Sequence, residues 1–231
     1  MNAELKHFDE AVASLTAVGQ GFEVNTVELA CVQYRNFATL PANLAQYFTV
    51  MLQHAEKEFA VYLDERYTFG QGYQHSCEFG AALVERYGLV KGDRVAILSR
   101  NNPQWMMAFI GITSVGCVAV PMNGWWTTEE LDYGFADSGA KIVVADRARV
   151  QRLATIVEKH DLHIIAIDDC SGFGVEYTPF AELLREFSGR GMPEKEVALE
   201  DHATIMYTSG STGHPKGALS SHRGVLAALY S

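Results

Sequence analysis

The sequence predicts an α/β fold built from layered, mostly parallel sheets flanked by helices. Short apolar segments alternate with segments of helical periodicity along most of the chain, which favours parallel strands joined by crossover helices. Two apolar segments, residues 142–144 and 164–167, are nearly uninterrupted, as expected for strands covered on both faces. Paired capping signals mark where several of the predicted helices begin.

Apolar periodicity and turn residues assign each element along the chain. In chain order the predicted elements are helices at 4–18 and 41–57, a strand at 59–63, a helix at 68–87, a strand at 94–99, a helix from 102, a strand at 117–120, a helix at 127–139, a strand at 141–145, a helix at 147–160, a strand at 162–167, a helix at 178–189, strands at 203–206 and 216–220, and a helix from 222.

Start and stop signals support four of these helices. The start signals are Thr68 with Gln71, Asn102 with Pro103, Thr127 with Glu130, and Thr178 with Pro179. Glycine provides the stop at Gly88, Gly139 and Gly189. A charged linker at 193–201 then leads to the next strand. The predicted domains are therefore an N-terminal extension at 1–40, an α/β unit at 41–192, and the linker with the start of a next, truncated unit at 193–231.

Composition indicates an ordinary globular protein. Of its 231 residues, 48% are hydrophobic and 20% are charged, and the net charge is −10. The absence of a basic stripe argues against a nucleic-acid partner. The four cysteines form no Cys-x-x-Cys pair and the N-terminus has no apolar signal segment, so a reducing, cytoplasmic location is predicted. Residues 101–128 carry no charge, but their glycine, proline and polar residues predict a buried helix, turn and strand rather than a membrane span.

The most informative segment is residues 207–217, Tyr-Thr-Ser-Gly-Ser-Thr-Gly-His-Pro-Lys-Gly. This segment can bind a polyphosphate through its hydroxyl groups, its backbone N–H groups and the Lys216 ammonium, because glycine lets the backbone turn. The segment follows a strand that is predicted to be buried. A Walker A loop is excluded because five residues separate Gly210 from Lys216 and no hydroxyl residue follows the lysine.

This segment resembles the phosphate loop of the adenylate-forming superfamily, Tyr-Thr-Ser-Gly-Ser/Thr-Thr-Gly-x-Pro-Lys-Gly, with His214 at the variable position. That superfamily includes acyl- and aryl-CoA ligases, luciferases and the adenylation domains of peptide synthetases. Upstream passages of the family are also similar, at 67–71, 88–97, 101–105, 116–123 and 127–131. The resemblance covers about residues 40–231, and the passage at 116–123 leans toward acyl-CoA ligases.

The resemblance implies the N-terminal part of an ATP-dependent acid–thiol ligase of a fatty or related acid. Its implied cofactors and substrates are ATP, Mg²⁺, CoA and a small carboxylic acid, and it leaves homo-oligomer formation open. The implied phosphate contacts are Thr208, Ser209, Gly210, Ser211, Thr212, Gly213 and Lys216. Lys216 is also the implied catalytic residue, and no metal ligand is assigned. The parts that complete the family's adenine site, acyl pocket and C-terminal catalytic lysine are expected beyond Ser231, so this portion alone is expected to be inactive.

Two other functions stay open. The chain is alternatively a non-catalytic nucleotide-binding or partner-binding fragment, or part of an adenylation domain that loads a carrier protein. Among other candidates, His160 and His163 are interpreted as a helix end and a strand residue rather than metal ligands. Trp125 and Trp126 are interpreted as core packing, with an apolar surface for an acyl chain, lipid or partner as the alternative. His222 is interpreted as a helix-start residue.

Overall fold

The computed structural model describes residues 3–29, 31–209 and 214–231. Within those ranges the helices are α1 (Ala3–Leu15), α2 (Leu44–Phe48), α3 (Phe69–Glu85), α4 (Pro103–Ser114), α5 (Thr128–Ser138), α6 (Arg147–Leu153), α7 (Val157–His160), α8 (Phe180–Glu186) and α9 (His222–Tyr230), with a 3-10 helix at Thr49–His54. The strands are β1 (Val24–Leu29), β2 (Val32–Phe37), β3 (Glu58–Tyr62), β4 (Glu65–Thr68), β5 (Arg94–Leu98), β6 (Val118–Pro121), β7 (Ile142–Ala145), β8 (His163–Ala166), β9 (Tyr177–Pro179), β10 (His202–Thr208) and β11 (Lys216–Ser221).

A seven-stranded sheet with the order β11-β10-β6-β5-β7-β8-β9 organises these elements. Its neighbouring strands are parallel except for the antiparallel pair β10–β11. The chain runs from β5 to β6 on one side and then crosses to β7 on the other, so the strand order reverses beside β5. Such a reversal opens a crevice at the carboxyl ends of the strands. The predicted α/β class is confirmed.

Apolar side chains cover both faces of this sheet, as the uninterrupted strand sequences predict. On β5, Val95 and Ile97 join the core beneath α3, α4 and α8, whereas Ala96 and Leu98 join the core beneath α5 and α6. All four side chains are fully buried. Successive side chains of a strand point to opposite faces of the sheet, which explains why they join different cores. Because both faces are buried, the strand lacks the alternation of polar and apolar residues that a half-exposed sheet shows.

The predicted helix caps form as the sequence indicates. The Thr68 hydroxyl accepts the Gln71 N–H at 3.2 Å while the Gln71 side chain accepts the Thr68 N–H at 2.8 Å. Thr127 and Glu130 make the same reciprocal pair at the start of α5. Gly139 ends that helix with φ of 65°, in the left-handed region where glycine is favoured.

The predicted helix at 147–160 is wrong as one element. The chain forms α6 and α7 separately, with Ile156 at φ −119° and ψ −3° between them. Two β-branched residues, Thr155 and Ile156, lie in the break and a third, Val157, begins α7, and such residues lose side-chain freedom in a helix. The predicted helix that begins at Thr178 is present as α8, but it starts slightly later, with Pro179 as its N-cap. Thr178 and Pro179 lie in the edge strand β9, where a proline needs no ladder partner.

Two strand pairs of the structure were not predicted in full from the sequence. β1 and β2 form a separate antiparallel hairpin within residues 1–40, and β4 pairs with the predicted strand β3. The strands β10 and β11, which follow the linker, pair into the main sheet through β6. The division of the chain at residues 40 and 192 stays a prediction.

The uncharged stretch 101–128 forms α4 and β6 with turns beside them. The helix is 12 residues long and packs between α3 and the sheet. Among the helices within the described ranges, none combines the length and the apolar character that crossing a membrane requires.

The crossing of α3 and α4 depends on a close approach at Gly111. A Cβ there would lie 2.8 Å from the backbone oxygen of Ser76 and 3.0 Å from the Phe79 ring. Since a helix backbone cannot yield as a side-chain end can, we expect Gly111→Ala to destabilise the chain by about 1–3 kcal/mol. Urea unfolding measures the change.

The matched control is Gly224→Ala in α9, where the nearest atoms to a new Cβ lie at 3.8 and 3.9 Å. Because alanine favours a helix over glycine, this variant should be unchanged or more stable by up to about 1 kcal/mol. Equal effects at both positions would contradict the close-packing explanation for Gly111.

Candidate functional site

The predicted phosphate loop connects two strands at one edge of the sheet. β10 is parallel to β6, so its carboxyl end lies on the same side as the carboxyl ends of β5, β7 and β8. Thr208 and Lys216 are paired across the β10–β11 ladder. Of the predicted phosphate contacts, Gly210, Ser211, Thr212 and Gly213 lie outside the described residues.

The described members of the loop leave their polar groups open to a ligand. Thr208, Ser209 and Lys216 are exposed, and the Thr208 hydroxyl donates a long hydrogen bond of 3.5 Å to the Lys216 carbonyl oxygen. Within residues 3–29, 31–209 and 214–231, no carboxylate lies within 4.0 Å of the Lys216 ammonium. A mobile cation without an internal partner is suited to an anionic ligand.

Tyr207 anchors the strand before the loop. Its hydroxyl donates to Asp137 Oδ2 at 2.6 Å, and its ring meets Trp126 edge-on with centroids 5.2 Å apart. Burial, followed by the hydrogen bond to Asp137, raises the pKa of the phenol well above its ordinary value. The phenol therefore keeps its proton and donates it in the hydrogen bond to Asp137.

Gly217 lets β10 and β11 pack tightly next to Tyr207. A Cβ at this position would lie 2.9 Å from Ile205 Cγ2 and 3.4 Å from the Tyr207 ring. The glycine at the end of the Pro-Lys-Gly sequence is thus required by the neighbouring side chains of β10. It lies directly after Lys216, so this packing supports the placement of the lysine.

Trp125 and Trp126 have different environments despite being adjacent. Trp126 is 6% exposed and packs in the core, as predicted. Trp125 is 74% exposed, and the Arg100 and Arg149 guanidiniums lie 5.9 and 5.8 Å from the centre of its ring. The core-packing prediction is wrong for Trp125, which forms part of the surface.

A cleft that sequence reasoning missed lies at the carboxyl ends of β5, β7 and β8. It has a volume of about 460 Å³, and its charged lining includes Arg100, Asp146, Arg147 and Asp168. Each strand is followed within two residues by one of these charges, which is the sequence signal that could have revealed the cleft. Its position matches the crevice expected where the strand order reverses.

A buried ion pair forms the floor of this cleft. Arg149 and Asp146 are 3.1 Å apart, and their side chains are only 3% and 10% exposed. Asp146 also accepts the Arg100 N–H at 2.9 Å, and Arg149 Nε donates to the Gly124 carbonyl oxygen at 2.9 Å. The pair therefore ties together the loops that follow β5, β6 and β7.

The other predicted candidates have structural contacts. His160 ends α7 and lies 2.7 Å from Asp132 Oδ1, while His163 is exposed at the start of β8. His222 begins α9, as predicted, and is fully buried. The described residues contain no group of three or more His, Cys, Asp or Glu side chains that could hold a metal ion.

Comparison with known proteins finds one protein family that matches most of the chain. The family described as "AMP-binding enzyme" matches residues 48–231. The chain is 31% identical to 4-hydroxybutyrate–CoA ligase 2 of Metallosphaera sedula, covering 73% of this chain and 32% of that protein. It is also 31% identical to the long-chain-fatty-acid–CoA ligase of Salmonella typhimurium, covering 78% of this chain and 37% of that protein.

Solved structures agree with the sequence matches. The anthranilate CoA ligase AuaEII in complex with anthranoyl-AMP superposes with a TM-score of 0.72 at 26% identity, covering 80% of this chain and 36% of that one. The chain thus spans about a third of the length of the proteins that it resembles.

Proposed function

Because this chain belongs to the AMP-binding enzyme family, we propose that it is the N-terminal portion of an ATP-dependent acid–thiol ligase. In the proposed reaction a carboxylate oxygen attacks the α-phosphorus of ATP and displaces pyrophosphate, giving an acyl-adenylate. The thiol sulfur of CoA then attacks the acyl carbon, loses its proton and displaces AMP. The CoA ligases among the relatives support this proposal.

The single observation that carries the proposal is the position of Lys216 on the β10–β11 hairpin. Its ammonium is exposed at the carboxyl edge of the sheet, opposite Thr208 and without a carboxylate partner among the described residues. We assign Lys216 to the β- and γ-phosphates of ATP, where it would neutralise charge as pyrophosphate leaves. Thr208, Ser209 and the segment 210–213 are proposed to contact the same phosphates.

The charge balance of the chain supports a local role for this lysine. With a net charge of −10, the protein as a whole repels a polyphosphate. Mg²⁺ prefers oxygen ligands and keeps several waters, so ATP phosphates can bring it to the hairpin without a protein cage. The Thr208 hydroxyl, exposed at the end of β10, is an oxygen donor compatible with that hydrated ion.

We propose a fatty or related carboxylic acid as the substrate class, and free CoA as the acceptor. The relatives support an acid–thiol ligase more strongly than any single acid, since their names include 4-hydroxybutyrate and long-chain fatty acids. Competition assays with these two acids in the full-length ligase would separate them. A carrier protein that replaces CoA as the acceptor would instead favour the adenylation-domain alternative.

We expect Lys216→Ala to lower ATP–pyrophosphate exchange roughly 10²-fold in the full-length ligase proposed here, because one preorganised charge is lost from the transition state. Lys216→Arg keeps the charge and should retain more activity than Lys216→Ala. Lys195→Ala is the matched control, since Lys195 is an exposed lysine on the linker. Exchange that is unchanged in Lys216→Ala would contradict the assignment.

A further inference from the structure

Helix α5 contacts the chain on both sides of the predicted phosphate loop. Before the loop, the Tyr207 hydroxyl donates to Asp137 Oδ2 at 2.6 Å. After the loop, the His214 ring stacks on the Tyr133 ring with centroids 4.7 Å apart and an interplanar angle of 22°. One helix therefore contacts the segment that ends in Thr208 and the segment that leads to Lys216.

The two contacting residues of α5 share one face of the helix. Tyr133 and Asp137 are four residues apart, a spacing that places their side chains side by side. The opposite side of the helix is fixed, because Leu131 and Phe135 are at most 1% exposed in the core. Reciprocal capping at Thr127 and Glu130 and the glycine at 139 hold its two ends. The helix is thus a rigid support.

The contacts use groups that are separate from those assigned to ATP. Tyr207 and His214 lie next to, but outside, the set of proposed phosphate contacts. Tyr207 is further fixed by its edge-on contact with Trp126 and by a 3.3 Å hydrogen bond to the Gly134 carbonyl oxygen. Since His214 occupies the variable position of the loop sequence, the motif itself does not account for its stacking on Tyr133.

We propose that Tyr133 and Asp137, acting on His214 and Tyr207, form a clasp that positions Thr208 and Lys216 for ATP. The four residues are called the α5 clasp. The proposal rests on the proposed function of the hairpin, and its members are positioning residues that do not touch the substrate. Holding both flanks lowers the conformational entropy that the hairpin would lose when ATP binds.

The first test measures amide hydrogen exchange at residues 207–209 and 216–218 of the 231-residue chain without nucleotide. Tyr133→Ala and Asp137→Ala should each speed exchange roughly 2- to 10-fold, the range expected for one aromatic contact or one exposed side-chain hydrogen bond. Tyr133→Phe keeps the ring and Asp137→Asn keeps an acceptor, so both should stay near the parent chain. Unchanged exchange in both alanine variants would overturn the clasp.

The second test titrates the same variants with Mg-ATP. If the parent chain binds, Tyr133→Ala should weaken binding roughly 2- to 10-fold and Tyr133→Phe should restore it. Equal affinities of the parent and Tyr133→Ala would overturn the positioning role and leave the phosphate site intact. If the parent chain does not bind Mg-ATP, the hydrogen-exchange experiment alone decides the clasp, and ATP–pyrophosphate exchange by Lys216→Ala in the full-length ligase decides the phosphate site.

Discussion

Asp146→Ala is expected to destabilise the chain by about 3–5 kcal/mol, because it leaves the buried Arg149 guanidinium without its partner charge. The Arg149 side chain is only 3% exposed, so water cannot replace the lost carboxylate without rearrangement. The carboxylate also caps α6 by accepting the Arg149 N–H at 3.1 Å, and it accepts the Arg100 N–H at 2.9 Å. The substitution therefore removes a charge partner and a helix cap together.

Urea unfolding of four variants, Asp146→Ala, Asp146→Asn, Arg149→Met and a double variant, separates these contributions. Asp146→Asn retains a capping oxygen, so it should be more stable than Asp146→Ala while still losing the ion pair. Combining Asp146→Ala with Arg149→Met removes the uncompensated charge and should recover part of the loss. Additive losses in the double variant would show that the two side chains are not coupled.

An exposed pair is the matched control for the effect of burial. Arg66 and Glu58 are 2.9 Å apart, but their side chains are 67% and 56% exposed. Glu58→Ala should change stability by no more than about 1 kcal/mol, since water and salt screen such a pair. A loss as large as that of Asp146→Ala would contradict the claim that burial sets the magnitude.

Local signals in the sequence were sufficient for most elements of the main sheet. Caps such as Thr127 with Glu130 depend on residues three apart, so both partners can be read from the sequence and were confirmed. The apolar strands at 94–98 and 142–145 were likewise recognisable because both of their faces are buried. These features depend on neighbours along the chain or on uniform burial.

The hairpin β1–β2 was missed because its sequence lacks the usual signals. Val32 and Tyr34 alternate with polar residues in β2, but both are exposed, and the buried residue of the strand is the polar Asn36. Its turn contains Cys31 at φ 64°, a left-handed conformation that is usually marked by glycine or asparagine. The hairpin therefore lacks the usual turn residue, and its short alternation does not mark a buried apolar face.

The phosphate-loop hairpin was predictable as two strands, but its support on α5 was not. Asp137 and Tyr207 are 70 residues apart in sequence, and only the sheet order brings them together. The different exposures of Trp125 and Trp126 have the same origin, since strand and turn geometry decide which ring faces the core. The sequence indicates the chemistry of such residues, whereas tertiary packing decides their partners.

The buried imidazole of His222 predicts a loss of stability on mild acidification. His222 is fully buried, its Nδ1 accepts the Leu44 N–H at 3.2 Å, and its Nε2 has no hydrogen-bond partner among the described residues. Burial lowers its pKa from 6.5 to about 4, although the nearby Asp201 carboxylate acts in the opposite direction. The folded chain therefore keeps this imidazole neutral in a range where the unfolded chain protonates it.

The sign of the effect follows from proton binding by the two states. Between pH 6.5 and about 4 the unfolded chain binds more protons at this site, so stability falls as pH falls through this range. We expect His222 to account for a loss of about 3 kcal/mol across that window. His222→Asn keeps an acceptor for the Leu44 N–H but cannot titrate, so its difference in unfolding free energy from the parent isolates this contribution. The parent chain should be more stable than His222→Asn at pH 7, and this difference in unfolding free energy should shrink as the pH is lowered to 4. A difference that stays constant over this range would show that the buried imidazole does not cause the acid sensitivity.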